Sequence, residues 1–297
     1  MRIGFSSLVA PEWDLEKLVA QAKAYGFDGV ELRGIQGQLH LPLVPELAGD
    51  PQATIELFRS HGVDLVCLGT SASLGGLDRR EVADQRAKLI ETIELAASLD
   101  CPLVRMFAGE IPPSSTHQAT ISRVAAVLPS VADVAARHRV TVVVENGGDM
   151  LDSRDLWFIA DAVDHPALRC CWNPCHAMAC NDRSTIAVPR LAGRLSLVHV
   201  CDADFDERGC LTRYQLPGQG QVDWPRAIDL LRGVVYRGYL VFEWPKLWVP
   251  GLASPDTVLP AVAEFLRTRL DHRDAVLSAY KTDKHKPNLP TLAETTD

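Results

Sequence analysis

Eight short apolar runs, separated by segments of helical spacing, predict an α/β fold for this chain of 297 residues: a single-domain (β/α)8 TIM barrel. Strands that alternate with helices imply right-handed crossovers and a parallel sheet. The runs are apolar on both faces, as strands covered by helices must be. The length also suits a barrel, which needs about 250 residues. A doubly wound open sheet is the main alternative. However, no Gly-x-Gly-x-x-Gly joins the first strand to the first helix, and no phosphate-cradling loop ends in Gly-Lys-Ser/Thr.

Strands are expected at 2–6, 29–33, 64–69, 103–108, 141–146, 169–173, 196–201 and 239–244. Helices are expected at 15–25, 52–61, 81–99, 121–138, 154–163, 184–191, 224–236 and across 258–270. In the third of these, Val82, Leu89, Ile93 and Ala96 line one face, the stripe that packs on a sheet. Val258, Val262, Phe265, Leu266 and Leu270 do the same near the end. Asp14 caps the first helix, and Ser254-Pro255-Asp256 places proline at a first helical position. Gly26 and Gly62 follow helical segments, where a left-handed residue is usual. The barrel is expected to occupy residues 1–281, and 282–297 to form a polar C-terminal tail, flexible or docked on the surface.

The formal charge is −8, from 30 Lys+Arg against 38 Asp+Glu. This balance disfavours a nucleic-acid partner. The sequence shows no apolar run near the roughly 20 residues that span a bilayer, so no membrane partner is expected. Nor does a long apolar segment precede the strand-like Ile3-Gly4-Phe5. A cytoplasmic protein is expected, with a homo-oligomer left open. Eight cysteines without a secretory signal argue for buried thiols rather than a disulfide framework. Cys170, Cys171, Cys175, His176 and Cys180 form a cluster, but it lacks the paired spacing of a zinc site and reads as ordinary packing.

Four polar residues end four of the runs. Glu145 follows three valines, Asn173 follows Cys170-Cys171-Trp172, His199 follows Leu197-Val198, and Glu243 follows Leu240-Val241-Phe242. In a barrel these strand ends converge on one mouth. Two carboxylates, an amide and an imidazole there would suit a divalent cation. Two acids near one cation can take and return a proton on opposite faces of a substrate, which makes Glu145 and Glu243 the catalytic candidates. Other mouth candidates are Glu31, Arg33, His40 and Arg105. Trp13, Trp172, Trp244 and Trp248 could wall the apolar face of a sugar, and Lys246 could meet a carboxylate or phosphate. The loops 32–46, 69–80 and 244–256 would carry specificity.

The order of these residues resembles the xylose isomerase-like TIM-barrel superfamily: Glu at strand five, Asp-x-x-His at strand six, His-x-x-Asp at strand seven and Glu at strand eight. The sugar phosphate isomerase/epimerase branch is the nearest match, with its ketose 3-epimerases, hydroxypyruvate isomerases and inosose dehydratases. Pro217-Gly-Gln-Gly-Gln-Val-Asp-Trp224 also resembles that branch's Gly-x-Gly-x-x-Asp-Trp/Phe stretch. The resemblance implies a metal quartet of Glu145, Asn173, His199 and Glu243, holding Mn²⁺ or Mg²⁺, or else Zn²⁺ or Co²⁺. It implies substrate contact by His176; Trp13, Arg105 and Lys246 stay substrate-side candidates on their own positions, outside the resemblance. The activity implied is isomerisation or epimerisation of a small ketose or polyol through an enediolate.

One residue departs from the pattern, because Asn173 stands where the superfamily has Asp. The amide brings no charge, so weaker metal affinity is expected. A lyase acting on an inosose or dehydroshikimate-type ketone, and a metal-free or non-catalytic sugar binder, remain alternatives. An endonuclease of the same superfamily would need more ligands and a basic face, and this acidic chain does not offer them.

Overall fold

The computed structural model describes residues 1–76 and 78–282, with side chains described through 271. The expected tail therefore lies almost wholly outside the described residues. Eight parallel strands close a barrel: β1 (Arg2–Ser6), β2 (Gly29–Leu32), β3 (Asp64–Ser73), β4 (Leu103–Phe107), β5 (Thr141–Glu145), β6 (Leu168–Trp172), β7 (Leu195–Val200) and β10 (Tyr239–Phe242). Neighbours follow chain order, and β10 closes against both β7 and β1. Each strand falls within a few residues of its expected place. The largest difference is at β3, which continues to Ser73 and joins Phe107 past a break in register.

The helices are α1 (Leu15–Ala24), α2 (Pro45–Ala48), α3 (Pro51–His61), α4 (Arg79–Ser98), α5 (His117–Arg137), α6 (Ser153–Val163), α7 (Pro174–Ala179), α8 (Ser184–Leu191), α9 (Trp224–Gly233) and α10 (Pro255–Thr282). Asp14 caps α1 by accepting from Lys17 N at 2.8 Å, and Gly26 (φ +77°) and Gly62 (φ +62°) are left-handed after their helices. By length and composition α5 could cross a membrane. Instead it lays Ile121, Val124, Leu128, Val131 and Ala135 into the barrel core, between α4 and α6.

A hairpin not expected from sequence, β8 (Asp202–Phe205) with β9 (Leu211–Gln215), rises from the end of β7. The glycine-rich stretch after it wraps Asp202. The Asp202 carboxylate accepts from Gly218 N (2.8 Å), Gly220 N (3.1 Å) and Val222 N (3.0 Å). A Cβ on Gly220 would meet Asp202 Oδ1 at 2.3 Å, so that residue must be glycine. Asp223 then caps α9, and Trp224 Nε1 donates to Cys201 O at 3.1 Å. This turn anchors the segment directly after His199.

Inside the barrel, Val66, Cys67, Val143, Cys171, Leu197 and Val241 form a separate apolar cluster. Successive side chains in a strand point to opposite faces, so a residue two places on faces the same way. Counting two forward from Val143, Cys171, Leu197 and Val241 gives Glu145, Asn173, His199 and Glu243. The strand pleat thus stacks a polar layer on an apolar floor.

Candidate active site

The four strand-end residues meet, and they bond to one another. Asn173 Nδ2 donates to Glu145 Oε1 (3.0 Å) and to Glu243 Oε2 (3.1 Å). His199 Nδ1 lies 2.8 Å from Glu145 Oε1 and 3.7 Å from Glu243 Oε2. Its other ring nitrogen, Nε2, lies 2.9 Å from Glu31 Oε2. Ser6 Oγ donates to the second Glu31 oxygen at 3.2 Å. Glu31, Glu145, Asn173 and His199 are fully buried.

Two arginines complete the layer. Arg105 is buried, forms an ion pair with Glu145 Oε2 at 3.1 Å without hydrogen-bond alignment, and donates from Nη1 to Thr70 O at 2.8 Å. Arg33 donates from Nη2 to Ser71 Oγ at 2.6 Å and packs 5.6 Å from the ring of Trp248. Gly69 makes room for both. A Cβ there would lie 2.7 Å from Arg33 Cδ and 3.1 Å from Arg105 Nη2.

The two glutamates differ in charge preference. Burial favours protonation of Glu145, but His199 and Arg105 outweigh it and hold its carboxyl well below the ordinary range. Burial raises Glu243, and neighbouring Glu145 adds to the rise against the pull of His199. Burial opposes charge on His199, yet the carboxylates of Glu145, Glu31 and Glu243 raise it well above the ordinary imidazole value. A carboxylate oxygen within 2.9 Å of each ring nitrogen favours the imidazolium form of His199, which can donate both ways. Burial also lifts Glu31, but His199 pulls it below its ordinary value.

A cavity of about 180 Å³ lies over this layer, lined by Arg33, Arg105, Phe107, His176, Tyr214 and Glu243, among others. Glu243 and His176 both face it, whereas Glu145 lies beneath. His176 Nδ1 donates to Asn146 O at 2.6 Å, which leaves Nε2 as its lone-pair nitrogen. Of the substrate-side residues expected from sequence, His176 and Arg105 are at the cavity. Trp13 is in the core with the Lys17 ammonium 4.7 Å from its ring, and Lys246 donates to the carbonyls of Pro250 and Leu252 in its own loop. Trp172 and Trp244 are buried. His40 pairs with Glu91 at 2.9 Å. Sequence reading missed Tyr214, which arrives on the unexpected hairpin, and Cys171 beneath the site.

Glu145, Cys171 and His199 each offer one ligand-capable atom within 4.8 Å of the others, so a group able to hold a cation exists. Burial pushes the Cys171 thiol up to about 12, which makes it a poor donor. The expected fourth ligand, Asn173, turns N–H groups rather than a lone pair toward the glutamates. Its oxygen accepts from Cys175 N (3.1 Å) and His176 N (3.4 Å) and caps α7. The expected quartet therefore does not fit a cation in this arrangement.

A closed parallel barrel with a polar constellation at its C-terminal strand ends defines the class of protein. The model of the xylose isomerase-like TIM barrel family matches residues 19–269, and the chain belongs to that family. A sequence search of curated proteins finds no match. Among solved structures, the fold is similar to an L-ribulose 3-epimerase at 18% identity and TM-score 0.78, covering 96% of this chain and 99% of that one. It is also similar to 3-keto-D-glucoside 4-epimerase YcjR from E. coli, at 17% identity and TM-score 0.71 over 91% and 99% of the two chains. A third is the probable 3-DHS dehydratase AsbF from Bacillus anthracis, at 15% identity and TM-score 0.74 over 90% and 99%. At these identities the likeness is one of fold.

Proposed function

We propose that this protein is an isomerase or epimerase of a small ketose or related polyol, moving a proton on a carbon next to a carbonyl. The carrying observation is that Glu243 and His176 both line one small cavity, with Arg33 and Arg105 in its wall. Burial raises the Glu243 carboxyl above its ordinary value, which suits a group that both accepts and returns a proton. His176, which lines the same space and has its Nδ1 on Asn146 O, serves as the second carrier. The proton leaves carbon for one of these groups, and a proton returns from the other to the opposite face or to the neighbouring carbon. The guanidiniums meet the oxygen on which negative charge develops.

The sequence pointed to Glu145 as the partner of Glu243. Its burial and its contacts with His199, Asn173 and Arg105 favour a positioning role instead. The related epimerases support the substrate class, since epimerisation at the carbon beside a ketone needs this proton transfer. If a hydroxide leaves after the same first step, the reaction is a dehydration, and the AsbF likeness keeps that reading as the alternative.

The test is proton NMR of a panel of ketoses and cyclic ketones in heavy water. Deuterium entering next to the carbonyl, with an isomeric product and loss of both effects in Glu243→Gln, is the expected result. An unsaturated product would move the assignment to a lyase. No exchange with any ketone would remove the enzymatic reading in favour of a sugar binder.

A further inference from the structure

The Asn173 amide cannot turn over at low cost. In the present orientation its oxygen takes two backbone N–H donors of α7 and the Cys201 thiol (3.4 Å), while its NH₂ gives one hydrogen to each glutamate. The reverse orientation would set NH₂ against two backbone N–H donors and the oxygen against the ionised Glu145, and these three contacts would turn repulsive. The backbone of Asn173 is clamped as well. Asn173 N donates to Asn146 Oδ1 at 2.7 Å, and Asn146 Nδ2 donates back to Asn173 O at 2.9 Å. The hydrogens of Asn173 are therefore fixed on the space that a shared cation would need.

The other would-be ligand atoms are committed in the same way. Glu145 Oε1 takes both Asn173 and His199, Glu145 Oε2 faces Arg105, and both nitrogens of His199 face carboxylates. Three carboxylates, the buried Glu31 and Glu145 and the half-buried Glu243, already have two guanidiniums and an imidazole among them. A divalent ion on Glu145 would also lie close to the Arg105 charge. Arg33 is 4% exposed, and neither its Nε nor its Nη1 has a partner among the described residues. Buried donors of this kind ordinarily have partners, and an oxygen of a bound substrate would supply one to Arg33 after a small rotation.

We propose that this barrel works without a divalent cation, its place taken by the locked Asn173 amide and its positive charge supplied by Arg105 and Arg33. The assignment of Arg33 and Arg105 to the substrate oxygen rests on the proposed proton transfer; the exclusion of the cation does not. Metal content is read without substrate, so the two readings fail separately.

The experiment measures bound metal by mass spectrometry in the wild-type protein and in Asn173→Asp. Both are first incubated with Mn²⁺, Mg²⁺, Zn²⁺ or Co²⁺ and freed of excess, and their melting temperatures are followed with each ion. Wild type is expected to hold far less than one equivalent and to show no shift. Asn173→Asp is expected to bind Mn²⁺ at least about tenfold more tightly, a change of the size that altered ligand surroundings give, and to melt higher with the ion. Stoichiometric metal in the wild type, with a melting temperature that drops on chelation, overturns the proposal. Equal, weak binding by wild type and Asn173→Asp overturns the role given to the amide. If the variant fails to fold, the wild-type measurement decides alone.

Discussion

His199 Nε2 lies 2.9 Å from Glu31 Oε2, so a carboxylate on the second strand fixes an imidazole on the seventh. Both groups are fully buried, and 168 residues separate them in sequence. Breaking such a pair from one side leaves an uncompensated buried group and costs about 3–5 kcal/mol. Glu31→Ala should therefore lower the unfolding free energy by about that amount, read from urea denaturation. A loss below about 1 kcal/mol would place the pair among weakly contributing ones.

Acid should weaken the protein through the same residues. Glu31 and Glu145 have folded values below their ordinary 4.5. Their stabilisation is complete above that value and is lost as pH falls through the folded values, because the unfolded chain then binds more protons. His199 acts in the opposite sense. Its folded value lies above the ordinary 6.5, so its contribution is complete below 6.5 and is lost only as pH rises through the folded value. Urea midpoints measured from pH 7 to pH 3 should fall steadily below the carboxylate range. Glu31→Gln should flatten that fall, having one carboxylate fewer to protonate. An unchanged slope in Glu31→Gln would remove Glu31 from this account.

Glu243→Gln keeps the shape and the acceptor oxygen for Asn173 but cannot carry a proton. Solvent deuterium exchange into a turned-over ketose should fall by about 10²–10⁴, the range for a general base or acid. The melting temperature should change little. His176→Ala should cause a loss of similar order in the same assay. Retained exchange in His176→Ala would return the second carrier to another group, with Glu145 first in line.

Arg33→Met removes a cavity-lining guanidinium, two nitrogens of which are buried without a partner among the described residues. If it stabilises charge that develops only during reaction, kcat should fall by about 10²–10³ with KM nearly unchanged. A rise in KM alone would make Arg33 a ground-state binding group.

Much of the barrel and the meeting of its strand ends could be read along the chain. Glu145, Asn173, His199 and Glu243 each stand two residues past an apolar residue of the barrel floor, and period two is a local property of extended chain. The hairpin was not legible. A single residue, Cys201, separates β7 from β8, and β9, Leu-Thr-Arg-Tyr-Gln, is partly exposed and carries no apolar run. Trp13 was expected to wall a sugar face and Lys246 to meet a carboxylate or phosphate, but the α1 entry and the 244–256 loop direct them elsewhere.

The sequence alone determined the closed parallel barrel, the strand-end layer and the identity of its polar groups, because alternation and pleat depend on near neighbours. Tertiary structure decided the partners. Glu31 reaches His199 only when the barrel closes, Gly69 gives Arg33 and Arg105 their space across two strand junctions, and the direction of the Asn173 amide follows from backbone donors of α7 and from Asn146. Hydrogen bonds are short-ranged and directional, so which lone pair faces which proton is fixed only when distant stretches of chain come together.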